Sequence, residues 1–297
     1  MATLLRPVRR VQTATSQTPA HRRRWPDWKN HVVMWLLLAM VFLPLAEMLI
    51  ISFKSPYQYQ ANSFGVSWPI SWSTVISNFQ GGWQAISPYM LNSVMYSGSA
   101  LVGVLFFSSF TAFVFARFRF AGKELLYYMV IALLMVPGVL TLVPQYSLVH
   151  HLGLLNTRWA LILPYWALGQ VFGIFLLRSF LSGVPEEYFE AARIDGASDW
   201  RLYWNIALPL CRPILATVAI LNVIGTWNDL VWPLVALAGK PGLENLTVGL
   251  TMFQQEYFTN YGPLFAGYII ASLPLLVLFL FASRQFVEGL SSGSIKL

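Results

Sequence analysis

The residues best able to do chemistry in this sequence are few and scattered. His150 and His151 stand side by side, and Cys211 is the single cysteine. Adjacent side chains diverge on a helix and no third ligand stands near, so the pair reads as a short polar loop rather than a metal site. One thiol makes no internal disulfide, and no C-x-x-C or Cys/His cluster is present to hold zinc. Asp229 is the one aspartate placed within an apolar run, and a lone carboxylate cannot make the dyad of an aspartyl protease. The sequence holds no G-x-x-x-x-G-K-[ST], no G-x-S-x-G and no H-E-x-x-H. Phosphate-loop hydrolysis of nucleotide, nucleophile-elbow acyl transfer and zinc proteolysis therefore lack their motifs.

The chemistry that remains is recognition. Residues 186–201, EEYFEAARIDGASDWR, carry seven charges and five of the twelve acids in the chain. So dense a cluster in a chain only 10% charged reads as a docking surface for a soluble partner. A solvated amphipathic loop is the alternative, and local physics alone leaves the two level. The cluster needs a helix–turn–helix to position it. Pro185 suits a first helical position, and Glu186 and Glu187 sit favourably against a positive helix N-terminus. Glu190, Ala191 and Ala192 are good helix formers with short side chains, and Gly196 falls where a left-handed cap is wanted. Ser198 or Asp199 then caps a second short helix running toward Pro209.

What surrounds this loop is apolar. The 297 residues are 57% hydrophobic and their mean hydropathy is +0.59, against about 45–50% apolar and about 25% charged in soluble domains. A soluble domain, a disordered chain, a coiled coil and a disulfide scaffold are all poor fits. Crossing a bilayer takes about 20 apolar residues, and six spans meet that need: Val32–Phe53, about Met90–Phe115, Leu125–Leu148, Ala160–Phe180, Ile214–Leu237 and Leu264–Phe286. Their backbones must pair internally, so each is a helix. Pro44, Pro137, Pro144, Pro164, Pro233 and Pro274 should bend them. The first span is too long and lacks the cleavage pattern of a signal peptide, so it reads as retained.

Sixteen of the nineteen Lys and Arg fall on one side of these spans, leaving Lys54, Arg158 and Lys240 on the other. Both termini are then expected in the cytoplasm. The net charge of +7 sits in those cytoplasmic segments and calls for no nucleic acid. Residues 1–30 read as a disordered basic leader attracted to anionic lipid. Gly169 and Gly173 form G-x-x-x-G, and Ser108, Ala112 and Ala116 form a small-residue stripe, both suited to close helix approach. Lys54–Pro88, with Trp68, Trp72 and Trp83, should lie outside, either receiving a partner or resting on the membrane interface. No internal repeat is evident, which weakens an inverted-repeat secondary transporter.

Glu190-Ala191-Ala192, three residues, Gly196, nine residues, then Ile206-x-Leu208-Pro209 resembles the EAA loop of ABC importer permeases at every defining position. Together with six spans, GTWNDLVWPL at 225–234 and GLSSGSIKL at 289–297, the likeness is to carbohydrate-type permeases, in particular the second permease of maltose-like systems, over roughly 30–297. The resemblance implies an all-α polytopic membrane protein of six transmembrane helices with a cytoplasmic EAA coupling-helix loop at 181–212. It implies a transmembrane permease domain at 31–288 and a C-terminal tail at 289–297, in a prokaryotic plasma membrane. The implied activity is transport and not catalysis, with no cofactor in this chain and with ATP and Mg on a partner. The implied partners are a second permease subunit, two ATPase subunits and an extracytoplasmic solute-binding protein.

By resemblance, Glu190, Ala191, Ala192, Gly196, Ile206, Leu208 and Pro209 meet or shape the contact with the ATPase. Gly289, Ser291, Ser292, Gly293 and Ser294 reach toward the ATPase interface, a frayed end being the alternative. Sugars bind by aromatic stacking and planar hydrogen-bonding groups, which Trp227, Asn228 and Asp229 offer, with Asn222 a turn away. Helix–helix hydrogen bonding, or a structural break before Trp232-Pro233, is the structural alternative there. A permease for another polar solute such as a glycerol phosphate ester stays open, as does a membrane assembly or signalling subunit that recruits a soluble partner.

Overall fold

The computed structural model describes residues 28–238, 240–256 and 260–294, with side chains described as far as Phe281. Among them every regular element is helical. In chain order these are α1 (Trp28–Ser52), α2 (Pro56–Ala61), α3 (Trp72–Arg117), α4 (Lys123–Ala132), α5 (Gly138–His151), α6 (Trp159–Ser182), α7 (Glu187–Ile194), α8 (Asp199–Leu202), α9 (Leu208–Leu210), α10 (Arg212–Trp227), α11 (Val231–Ala236), α12 (Leu246–Glu256) and α13 (Tyr261–Ser294). The basic leader lies outside the described residues for all but its last three positions, and residues 295–297 lie outside them too. Gly289–Ser294 continue the backbone of α13.

Four helices are long and apolar enough to cross a membrane: α1, α3, α6 and α13. Two sharply bent pairs raise the number to as many as six if each is one span. The chain divides into two compact units at Leu45. The described part of the first, Trp28–Leu45, is apolar helix with every residue exposed. The second begins at Ala46 and holds the bundle and both sites described below.

Prolines account for the breaks. Val136, extended as the residue before a proline prefers, separates the 3₁₀ turn Leu133–Met135 from α5, and the axis bends by 105°. The apolar run Ile214–Leu237 is not one helix. It ends at Trp227, passes Asn228–Leu230, and restarts as α11. Pro233 has no N–H to give the Asp229 carbonyl, and that carbonyl instead accepts from Asn245 Nδ2 at 2.6 Å. Asp229 Oδ1 accepts from the Trp232 N–H, turning the chain into α11. Pro164, by contrast, lies inside α6 without breaking it. The Ala160 carbonyl that it frees accepts from Trp232 Nε1 at 2.9 Å.

α3 is the spine. It has 46 residues and starts at Trp72, well before Met90, because Ser, Asn, Gln and Gly in its first half lower the local hydropathy without lowering helix formation below what packing supports. At Gly103 an added Cβ would overlap the indole of Trp166, whose Nε1 donates to Ser99 O at 2.8 Å. Gly169 faces Val104 and Asn222, and Gly173 faces Ser108 and Val218. The G-x-x-x-G face of α6 thus sits where α3 and α10 converge. Near the Trp72 end, Asn78 donates to the Ser52 and Lys54 carbonyls. Farther along, Asn92 donates to the Gly242 and Glu244 carbonyls, Tyr96 donates to Leu243 O, and Ser93 Oγ accepts from the Leu246 N–H. These bonds tie the segment between α11 and α12 to the spine.

Candidate functional site: the charged loop and two cavities

The charged loop folds as a helix, a reversal and a second short helix. α7 closes with two bonds at its C-terminus: Ala197 N–H to Ala192 O at 2.9 Å and Gly196 N–H to Arg193 O at 3.0 Å. That pairing is a Schellman closure, and it puts Gly196 at φ +82°. Ala192 and Ala197, which bracket the turn, are both partly buried against one cluster. Ser198 Oγ accepts from the Arg201 N–H and caps α8. The chain then widens into a π-helical stretch, Tyr203–Ala207. Pro209 and Pro213 follow, each without an N–H to continue the ladder, and the axis turns by 75° into α10.

One side of this loop is welded down. Phe189, Leu202, Tyr203, Ala207 and Cys211 are buried with Ala112 and Phe113 of α3 and Leu177 and Leu181 of α6. The Tyr203 and Ser109 hydroxyls pair at 2.8 Å inside the cluster. Ile206 and Leu208 pack half-buried against the same cluster, and Pro209 is half-buried. The other side is open: Glu190, Ala191 and Gly196 are exposed, beside Tyr188 at 59% and Ile194 at 86%. Tyr188, Ala191 and Ile194 thus form an exposed apolar strip between charges.

One arginine fixes the loop from behind, and a second ties α6 to α4. The Arg117 guanidinium meets Glu186 at 2.6 Å and donates to Leu181 O and Val184 O at 2.6 and 2.8 Å. It also lies 4.0 Å from the centroid of the Phe189 ring. Arg178 donates to both oxygens of Glu124 at 2.7 Å and stacks on Tyr127 at 3.5 Å. Sequence reasoning counted both only as basic residues beside spans. Their partners lie 69 and 54 positions away, so nothing local marks them.

A cavity of about 500 Å³ lies between α6 and α10, lined by Tyr165, Gly169, Phe172, Asn222 and Thr226 among others. A second, of about 380 Å³, is lined by Thr141, Gln145, Tyr165, Asp229 and Trp232 among others. Tyr165 and Leu168 belong to both. Tyr165 donates to Asp229 Oδ2 at 2.9 Å where the two meet. Asn222 Oδ1 is buried with no hydrogen-bond partner, an acceptor open to a donor. The four pathway candidates therefore part company. Asn222 lines the first cavity and Asp229 the second. Asn228 is exposed and its amide donates to Ile224 O. Trp227 is 6% exposed and packs against Ile86, Met90 and Leu246, away from both cavities. Tyr165 is the lining residue that sequence reasoning missed, since a phenol in an apolar helix carries no spacing signal.

Residues 104–291 match the family described as the binding-protein-dependent transport system inner membrane component. The chain belongs to that family. As a permease it is 36% identical to the diacetylchitobiose uptake system permease protein NgcG of Streptomyces coelicolor over 90% of this chain and 88% of that one. It is 34% identical to the probable ABC transporter permease protein YurM of Bacillus subtilis over 93% and 91%. Among solved structures, a chain of a bacterial ABC transporter that imports the acidic polysaccharide alginate superposes with a TM-score of 0.76 at 21% identity, covering 91% of this permease and 100% of that chain. At that identity the likeness is one of fold. The permease is thus an all-helical, multi-pass membrane component of a binding-protein-dependent transport system.

Proposed function

We propose that this permease forms half of the translocation pathway of an ATP-driven importer for a sugar or oligosaccharide. In this reading it crosses the inner membrane six times, the bent pairs counting as spans, with both termini in the cytoplasm. A second permease completes the pathway, two ATPase subunits carry ATP and Mg, and an extracytoplasmic binding protein delivers the solute. The chain itself catalyses nothing. The observation that carries this is the loop at 186–210: its inner side is locked to α3 and α6, and its outer side offers Glu190, Ala191, Tyr188 and Ile194. A lever must be stiff behind and open in front, and this one is both.

The carbohydrate class is supported by relatives such as the diacetylchitobiose permease and by the lining of the two cavities. Asn222 Oδ1 and the Asp229 carboxylate offer acceptors, and the lining residues include no Lys or Arg. Such a surface suits a solute rich in hydroxyl donors and disfavours a phosphate ester.

Affinity purification of the tagged permease from its native membrane, with mass spectrometry of what accompanies it, tests the reading. An ATPase with a phosphate loop and a second EAA-bearing permease are expected. Isolation alone or as a homodimer would overturn it.

A further inference from the structure

We infer that Arg117 is a positioning residue for transport: it is the joint through which movement of the loop helix α7 reaches the spine helix α3. This rests on the reading of the loop as the ATPase contact. Arg117 is the last residue of α3, and its side chain is 5% exposed. One planar guanidinium serves three purposes there. It donates to Leu181 O at the end of α6, which also accepts from the Val184 N–H, and to Val184 O in the turn beyond the helix. It pairs with Glu186, the residue that opens α7. It covers the ring of Phe189, which is 1% exposed and anchors α7 in the core.

The covalent chain already joins α7 to α6 through Gly183–Glu186, and α8 to α10 through the elbow at Pro209. No such link joins α7 to α3, which lies 69 positions earlier at the contact. Packing of Phe189 on Phe113 and the Tyr203–Ser109 bond hold the two surfaces together, but neither fixes direction as a forked charge-assisted donor does. α3 in turn carries Asn92, Ser93 and Tyr96, which hold the segment between α11 and α12. A push on α7 therefore moves a rod that reaches that segment.

Lysine can keep the charge of this joint but not its fork, and glutamine keeps neither. The test uses the assembled importer in lipid nanodiscs, with wild type, R117K, R117Q and E186Q compared at equal amounts of assembled complex. ATP hydrolysis is read alone and with the loaded binding protein. In R117Q, basal hydrolysis and retention of the ATPase should stay near wild type, while the stimulated-to-basal ratio falls about fivefold or more, the scale of a typical coupling energy. R117K should recover part of the ratio, and E186Q should fall between them.

A wild-type ratio in R117Q overturns the inference, because purely structural damage lowers the amount of complex and not the ratio within it. Should R117Q fail to assemble, R117K and E186Q decide: wild-type ratios in both overturn the joint. If wild type itself holds no ATPase, the reading of the loop has failed. If wild type couples and all three variants couple equally, only the joint has failed.

Discussion

Gly196 sets the whole reversal of the charged loop, because a left-handed φ of +82° is a conformation that a β-branched side chain resists. No neighbouring atom crowds the position, so the cost of substitution is backbone strain and not overlap. Gly196→Val should lose about 1–2 kcal/mol, read as a lower melting temperature in detergent, and should weaken ATPase retention. Gly196→Asn should lose less, since asparagine tolerates that region. Equal behaviour of the two would show that φ is not what the position needs. This residue was legible from sequence because its role is local: the turn it closes spans six residues. Arg117 and Tyr165 were not legible, because each gains meaning only from a partner more than sixty positions away. Trp227 shows the converse. Its neighbours Asn228 and Asp229 suggested a sugar-stacking platform, yet helical geometry turns its ring into the core with Leu246 and Phe253.

Among the elements, α6 depends on small residues at two positions a turn apart. A Cβ at Gly169 would lie 2.7 Å from Val104 Cγ2 and 2.8 Å from Asn222 Nδ2, and one at Gly173 would lie 2.7 Å from Ser108 Cβ. Gly173→Leu should therefore push α3 and α6 apart at a cost of about 1–3 kcal/mol, seen as reduced thermal stability. Ser108→Gly in the same chain should return part of the loss, and no return would mean that the strain is relieved elsewhere. The close-approach face was readable from spacing. Pro137 and Pro233 marked the two breaks as bends, but that the second interrupts the helix over three residues was hidden, because a hydropathy window averages over Asn228–Leu230 as though they were helix. Pro233 and Asp229 together make the second break, one by withholding a donor and the other by supplying an acceptor.

For the molecule as a whole, the apolar spans and the EAA spacing carried the reading to its class, and the family match over 104–291 agrees. The role of the tail, like that of the loop, is a proposal. α13 carries its backbone through Ser294 without a break, so a helix, and not a loose strand of Gly and Ser, leads into the last residues. Deleting Ser291–Leu297 should lower binding-protein-stimulated ATP hydrolysis while leaving the permease folded, as judged by its elution on gel filtration. Unchanged stimulation would leave the tail without a part in coupling.

The bond from Trp232 to the Ala160 carbonyl has a consequence for inheritance. Pro164 creates the vacancy and Trp232 fills it from another helix, so neither residue is free to drift alone. A lineage that lost the indole first would carry a bare carbonyl within the bundle, a fault worth about 1–3 kcal/mol. One that lost the proline first would set a restored N–H competing for the same oxygen. The two positions should therefore be gained and lost together among descendants of this permease, a paired history written by one missing hydrogen.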